Sequence, residues 1–287
     1  MVYSVNRFTD PRIILSYGAV GFQKEDIAKM FAVSFRRTAF AWVGAAAALL
    51  ASSCQTAIDT PASLAGTWKF GLVSIPNQMT TDGSRCVGNF ASKKNRVCLE
   101  KIIRNRKFPL ILFMHGCAGM LGGSRNTVTI LRSMGYAAIG PNSFARLGRK
   151  RNCSGNKPGI LSLRQGEIRH ALAQIRKLNW VDPSRLVLAG FSEGAQAVAG
   201  YGGNDVFAGY IIMAFGCTRG NGRSISTSRP VLAIQGAGDP VSKGTCTVGF
   251  NKHSASILVP GAAHDVTGYP ETSSALRKFL AAVAPLK

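Results

Sequence analysis

Acidic residues are scarce in this 287-residue chain: 13 Asp and Glu stand against 35 Lys and Arg, a formal net charge of +22. That balance favours anionic surfaces such as phosphate-bearing polymers, acidic lipids or nucleic acid. Nucleic-acid motifs are missing, however. The densest basic cluster, RLGRKRNC from Arg146 to Cys153, has no interleaved aromatics, and no helix-turn-helix, RNA-recognition or zinc-finger spacing occurs, so the cluster reads as a solvated face. Among the seven cysteines no pair has CxxC spacing and HExxH is absent, which removes the common metal signatures. A Walker lysine motif is also lacking, and a dinucleotide-binding turn would want glycine where Ser192 stands. With only four histidines, chemistry that needs an imidazole has few candidates. No internal repeat is visible. At 46% hydrophobic residues the chain can still bury a core, so disorder is not its default.

What is present begins with an export-like leader. Residues 30–56, MFAVSFRRTAFAWVGAAAALLASSCQT, run from Met30 through Arg36 and Arg37 to an apolar stretch from Ala39 to Ala51, then to small residues and Cys54. This is the order of a signal peptide, and the apolar stretch is too short to span a bilayer stably. Residues 1–29 are expected to be an upstream extension, with initiation at Met30, and residues 30–53 a signal removed from the mature protein. LLASSC resembles the lipobox of bacterial lipoproteins, with Ala51 in place of the usual apolar residue. That resemblance implies membrane anchoring through lipid on Cys54; plain secretion and a retained anchor are the alternatives. Residues 1–53 hold six basic and three acidic side chains, so the remainder keeps 29 against 10, a net +19.

Setting Cys54 aside leaves Cys86, Cys98, Cys117, Cys153, Cys217 and Cys246, an even number suited to an oxidising compartment such as the periplasm. Chain order suggests neighbours as partners: Cys86 with Cys98, Cys117 with Cys153, Cys217 with Cys246. Buried free thiols are the other possibility.

Residues 54–65, CQTAIDTPASLA, are small, polar and Pro-containing, and read as a tether to a domain over 66–287. TWKFGLVSIP (67–76) is expected to be an early edge strand, and FPLILFMHG (108–116) a strand buried on both faces. A helix over about 124–134, closed by Gly135, precedes the strand YAAIGP (136–141). Over 161–178, Ile168, Leu172, Ile175 and Leu178 recur at helical spacing. Strands follow at 180–190, 207–216, 229–236 and 254–261, and an amphipathic helix closes the chain at 271–284. Such alternation predicts the α/β class: a mostly parallel central sheet with helices on both faces.

The motif GFSEG, Gly190 to Gly194, is weak by itself but follows a strand and opens a helix. Its glycines permit the tight turn that a protruding nucleophile requires, with Ser192 at the apex and the Glu193 N–H as first oxyanion donor. A serine needs a base to take its proton. His170 falls within a helix, His253 precedes a strand at its wrong end, and His115 is expected to fix its own loop. His264, in LVPGAAHD, follows the last strand, where the carboxyl edge of the sheet places loops beside the serine. The acid that orients this histidine is expected to be Asp239, just past the penultimate strand, with Asp265 second. The second oxyanion donor is expected from FMHGCAG: the Cys117 N–H, with Gly116 second.

Ser192, Asp239 and His264 stand in the order nucleophile, acid, base, the chain order of α/β-hydrolases. Residues 66–287 resemble that superfamily, and LILFMHGCAGM, PNSFARLGRKRNC and GFSEGAQA together resemble its dienelactone-hydrolase-like branch. The resemblance implies an α/β-hydrolase fold and hydrolysis of a small-molecule ester, thioester or lactone through an acyl-enzyme, with no cofactor and no metal. Dienelactone hydrolases proper use a cysteine where this chain has Ser192, which points away from dienelactone as substrate. CTRGNGRSISTS (217–228) is too short and polar for an apolar cap, and the basic loop at 142–160 suits the steering of anionic substrates. The competing class is a non-catalytic basic envelope lipoprotein that holds anionic polymers.

Overall fold

Residues 60–154, 159–201, 206–216, 227–242, 244, 246, 248 and 251–286 are described by a computed structural model of the chain. The expected leader, its upstream extension and most of 217–228 lie outside the described residues. Helix α1 (Pro61–Lys69) opens them: Thr60 Oγ1 accepts the Ser63 N–H at 3.2 Å, and Pro61 occupies the first turn. Both are standard helix starters, since the threonine oxygen satisfies an orphan N–H and proline lacks one. This corrects the tether, whose last five residues are helical, and the expected strand at 67–76, which begins only at Leu72.

Strand β1 (Leu72–Ile75) pairs antiparallel with β2 (Cys86–Asn89), and helix α2 (Lys93–Glu100) follows. The sequence reading missed β2 and α2. The Cys86–Cys98 disulfide ties this short strand to its helix, a cross-link of the kind worth about 2–4 kcal/mol. The elements that follow are β3 (Phe108–Met114), α3 (Gly123–Ser133), β4 (Ala137–Gly140), α4 (Ile160–Ile175), β5 (Val181–Phe191) and α5 (Glu193–Gly200). Strands β6 (Gly209–Met213), β7 (Val231–Gly236) and β8 (Ala255–Val259) and helix α6 (Pro270–Val283) complete the order.

The sheet runs β2-β1-β4-β3-β5-β6-β7-β8; β1 is antiparallel to both neighbours, and β3 to β8 are parallel. The edge strand is therefore β2, not the 67–76 segment. Alternate residues of each buried strand serve two cores. Leu110, Leu112, Leu188 and Ile212 face α4 and α5, whereas Ile111, Phe113, Val187 and Ile211 face α3 and α6. Helices on both faces of a mostly parallel sheet make this an α/β fold of the expected class.

From β3 the chain passes to β4 on one side and then returns to β5 on the other. Successive connections thus diverge at the carboxyl ends of β3 and β5, the switch point at which a crevice opens in such sheets. Met114 is in register with Gly190, and Phe191 with Met213, so the loops after β3, β5 and β6 emerge side by side.

Candidate active site

Ser192 follows β5 directly and is the N-cap of α5, with φ +54° and ψ −118°. Among the described residues Ala214 is the only other non-glycine residue with positive φ. Such a backbone costs roughly 1–3 kcal/mol and persists only where its surroundings impose it. Here the Ser192 N–H donates to Met213 O at 2.9 Å, while Gly190 and Gly194 let β5, α5 and β3 close around the turn. A Cβ on Gly190 would strike the Gly194 backbone, and one on Gly194 would strike the Met114 carbonyl. The serine side chain makes no capping bond. Its Oγ lies 2.9 Å from His264 Nε2 instead.

His264 sits five residues beyond β8, its ring edge-on to Phe191 at 5.5 Å between centroids. Its Nδ1 is 2.8 Å from Asp239 Oδ2. Asp239, buried in the turn after β7, also accepts Val241 N–H at 2.8 Å and Ser242 N–H at 3.1 Å on Oδ1, and Gln235 Nε2–H at 2.8 Å on Oδ2. Burial pushes this carboxyl up, but the bonds from His264, Val241 and Ser242 outweigh it, and its pKa falls below the usual carboxylate value. The group is therefore an anion at neutral pH.

Asp265 does not compete for the histidine. Its Oδ2 accepts Asn126 Nδ2–H at 3.1 Å and its Oδ1 accepts Thr267 N–H at 3.0 Å.

Ser192, Glu193, His264, Gly116 and Cys117 line one cavity of about 700 Å³, whose apolar wall includes Ala118, Leu121, Ile160, Phe215 and Val241. Glu193 opens α5, where first-turn N–H groups have no helical acceptor and the dipole favours negative charge. Gly116 lies against the serine, since a Cβ there would be 3.4 Å from Ser192 Cβ. Its N–H donates to Ser124 Oγ at 2.9 Å, which leaves Cys117 as the better donor of the two.

His115 is buried beneath this loop. Its Nδ1 bonds Gly116 O at 2.7 Å and its Nε2 accepts Ser143 N–H at 3.1 Å. Burial, then the charge of Arg164, holds its pKa well below the usual histidine range, so it is neutral.

The 142–160 loop departs from expectation. Arg146 Nε bonds Glu167 Oε1 at 2.8 Å and Arg149 Nη2 bonds Glu193 Oε1 at 2.5 Å. Both guanidinium groups are sequestered, and only Lys150 and Arg151 among the described basic residues of the segment are exposed. Two of the expected disulfides, Cys86–Cys98 and Cys117–Cys153, are present, and Cys246 is also disulfide-bonded. Cys217 lies outside the described residues. No group of three or more potential metal ligands occurs among the described residues.

Sequence reasoning missed Gln235, the one amide in the buried run VLAIQG. A lone polar residue in an otherwise apolar strand is the signal that could have found it, because such a group must be hydrogen-bonded to be buried. The Arg149–Glu193 pair had no comparable signal.

No protein-family model and no curated protein matches the chain. Among solved structures it is similar to a lidless α/β serine hydrolase from Xanthomonas campestris: TM-score 0.48, 17% identity, 63% of this chain and 85% of that one. It is also similar to Est1E from Butyrivibrio proteoclasticus, solved with ferulic acid: TM-score 0.45, 15% identity, 62% and 90% covered. A third is a Klebsiella pneumoniae protein assigned to the dienelactone hydrolases: TM-score 0.45, 16% identity, 62% and 87% covered.

Proposed function

We propose that the protein is a serine hydrolase that cleaves a small-molecule ester, thioester or lactone, with Ser192 as nucleophile, His264 as base and Asp239 as its orienting acid. The observation that carries the reading is the hydrogen-bonded line Ser192 Oγ, His264 Nε2, His264 Nδ1, Asp239 Oδ2, at 2.9 and 2.8 Å, opening onto a cavity. In the first half-reaction the Ser192 proton passes to His264 Nε2 as Oγ bonds the carbonyl carbon. Negative charge then develops on the carbonyl oxygen and is met by the N–H groups of Glu193 and Cys117. Collapse breaks the bond to the leaving group, which takes the proton back from Nε2 and leaves an acyl-serine. Water repeats the sequence: its proton goes to His264, its oxygen to the acyl carbon, and Ser192 recovers the proton as the acid departs. Asp239 keeps Nδ1 as the protonated nitrogen and stabilises the transient imidazolium.

The decisive test is labelling by a serine-reactive phosphonate, which requires nucleophile, base and oxyanion donors together. Modification at Ser192, lost in Ser192→Ala and His264→Ala, is the expected result. An unlabelled wild-type protein refutes the reading.

Export is part of the proposal. The leader-like order of Met30, Arg36, Arg37, apolar stretch and Cys54 supports it, as do disulfides that suit an oxidising compartment. Mass spectrometry of the mature N-terminus is expected to find lipid-modified Cys54, and a terminus upstream of Leu50 would overturn it.

A further inference from the structure

The two residues whose N–H groups would meet the oxyanion come from opposite sides of the switch point, Cys117 from the loop after β3 and Glu193 from the start of α5. Neither is directly bonded to the other. Each is held instead by the segment 142–154, which follows β4. Cys117 is joined to Cys153 by a disulfide. The Glu193 carboxylate is paired with Arg149 at 2.5 Å, both side chains 8% exposed.

The segment is itself fixed at its near end. Ser143 N–H donates to His115 Nε2, the Phe144 ring stacks on His115 with centroids 5.3 Å apart, and Arg146 is bound to the buried Glu167. The guanidinium carbons of Arg149 and Arg151 each lie 5.3 Å from the Phe144 ring centroid, so both cations rest against the one ring. Arg164 reaches from α4 to His115 O at 2.5 Å and to Glu167 at 3.0 Å, which ties the strap's anchor to the β3 loop.

We propose that residues 142–154 are a positioning strap for the oxyanion hole, holding one donor through Cys153–Cys117 and the other through Arg149–Glu193. The inference rests on the hydrolase reading and adds Arg149 and Cys153 as positioning residues. A tetrahedral oxyanion demands both N–H groups near 2.7–3.1 Å from one point. The β3–β5 ladder sets where the two loops begin, ending at the pair Met114–Gly190, and the strap ties the two donor residues themselves beyond that last pair. Catalysis should therefore depend on the strap through the transition state rather than through substrate binding.

The test compares Arg149→Met, Arg149→Lys and Cys153→Ser with wild type on an activated acetate ester. Cys98→Ser, which opens the disulfide at the β2 edge, serves as the control. The expected result is a fall of about 10- to 100-fold in kcat for Arg149→Met and Cys153→Ser, less than the roughly 10²–10³-fold cost of removing one oxyanion donor outright, because the donor is displaced and not deleted. KM is expected to stay within about twofold, Arg149→Lys to recover part of the loss, and Cys98→Ser to keep wild-type kcat. Affinity for a boronic acid that forms a tetrahedral adduct on Ser192 is expected to fall in step with kcat. Where a variant is poorly folded, mild reduction of wild type followed by reoxidation provides the second measurement, expected to lower and then restore kcat in proportion to the Cys117–Cys153 thiols counted. Variants with unchanged kcat and boronate affinity, or with losses matched by Cys98→Ser, would overturn the strap. Wild type that neither turns over ester nor labels at Ser192 would instead overturn the hydrolase reading, and the strap with it.

Discussion

Asp265 follows His264 directly in the chain, yet its carboxylate turns to Asn126 and Thr267. The acid that His264 meets is Asp239, 25 residues away in sequence. On the proposed mechanism Ser192→Ala and His264→Ala should each lower turnover of an activated ester by about three to six orders of magnitude, because the members act as a unit. Asp239→Asn is expected to cost less than either, through the wrong histidine tautomer. Asp265→Asn should stay within a few-fold of wild type. Steady-state kinetics of the four variants decides the assignment, and a silent Asp239→Asn beside a severe Asp265→Asn would reverse it.

Gln235 donates to the same Asp239 oxygen that His264 meets, and its Oε1 is buried without a partner among the described residues. Gln235→Met removes that donor while keeping the volume. With that brace gone the Asp239 carboxylate holds the His264 ring less firmly, so kcat should fall by about 3- to 10-fold while KM changes little. A variant that loses stability but keeps wild-type kcat would reduce Gln235 to packing.

Burial and the neighbouring Arg164 depress the pKa of His115, and the sign of the consequence for stability is definite. Between the lowered folded value and the ordinary one near 6.5, the unfolded chain holds a proton on this residue that the folded chain does not. Stability from this group is therefore complete above about pH 6.5 and declines on acidification, at up to about 1.4 kcal/mol per pH unit. Denaturant unfolding from pH 7.5 to 5 should show this slope, and His115→Gln should flatten it. An identical slope in the variant would assign the acid sensitivity elsewhere.

The cavity wall of Ala118, Leu121, Ile160, Phe215 and Val241 suits acyl groups of modest length. Across esters from acetate to palmitate the optimum is expected among the short chains, without interfacial activation. The net charge, +22 for the whole chain and +19 without residues 1–53, should make kcat/KM for an anionic ester fall with added salt while that for a neutral ester does not. Because Arg146 and Arg149 are already paired, a Lys150→Gln, Arg151→Gln double variant should remove whatever part of the slope this segment contributes. An optimum at long chains would mean that the wall has been misjudged.

Much of this molecule could be read along the chain. FPLILFM and VLAIQG are too apolar to be anything but buried strands, and each appears as one. Gly135 closes α3 at φ +93°, as its position after the helical pattern implies. The placing of Ser192, Asp239 and His264 after β5, β7 and β8 was enough to bring them to one edge, because parallel strands all present their carboxyl ends on the same side. The short antiparallel start was harder. Thr60-Pro61 is a helix opening that the Ala- and Ser-rich composition disguised as a tether, and β2 is too short for its alternation to register.

Local pattern determined the strands, the helices facing them and the serine turn, since those depend on residues a few positions apart whose periodicity survives in one dimension. Only the tertiary structure decided which acid serves His264, that Gln235 braces that acid, and that the basic segment after β4 is tied inward rather than displayed. The physical reason is the same in each case. Hydrogen bonds and ion pairs between side chains depend on direction and on distances of about 3 Å, and positions 44 residues apart, as Arg149 and Glu193 are, acquire those only when the chain has folded around them.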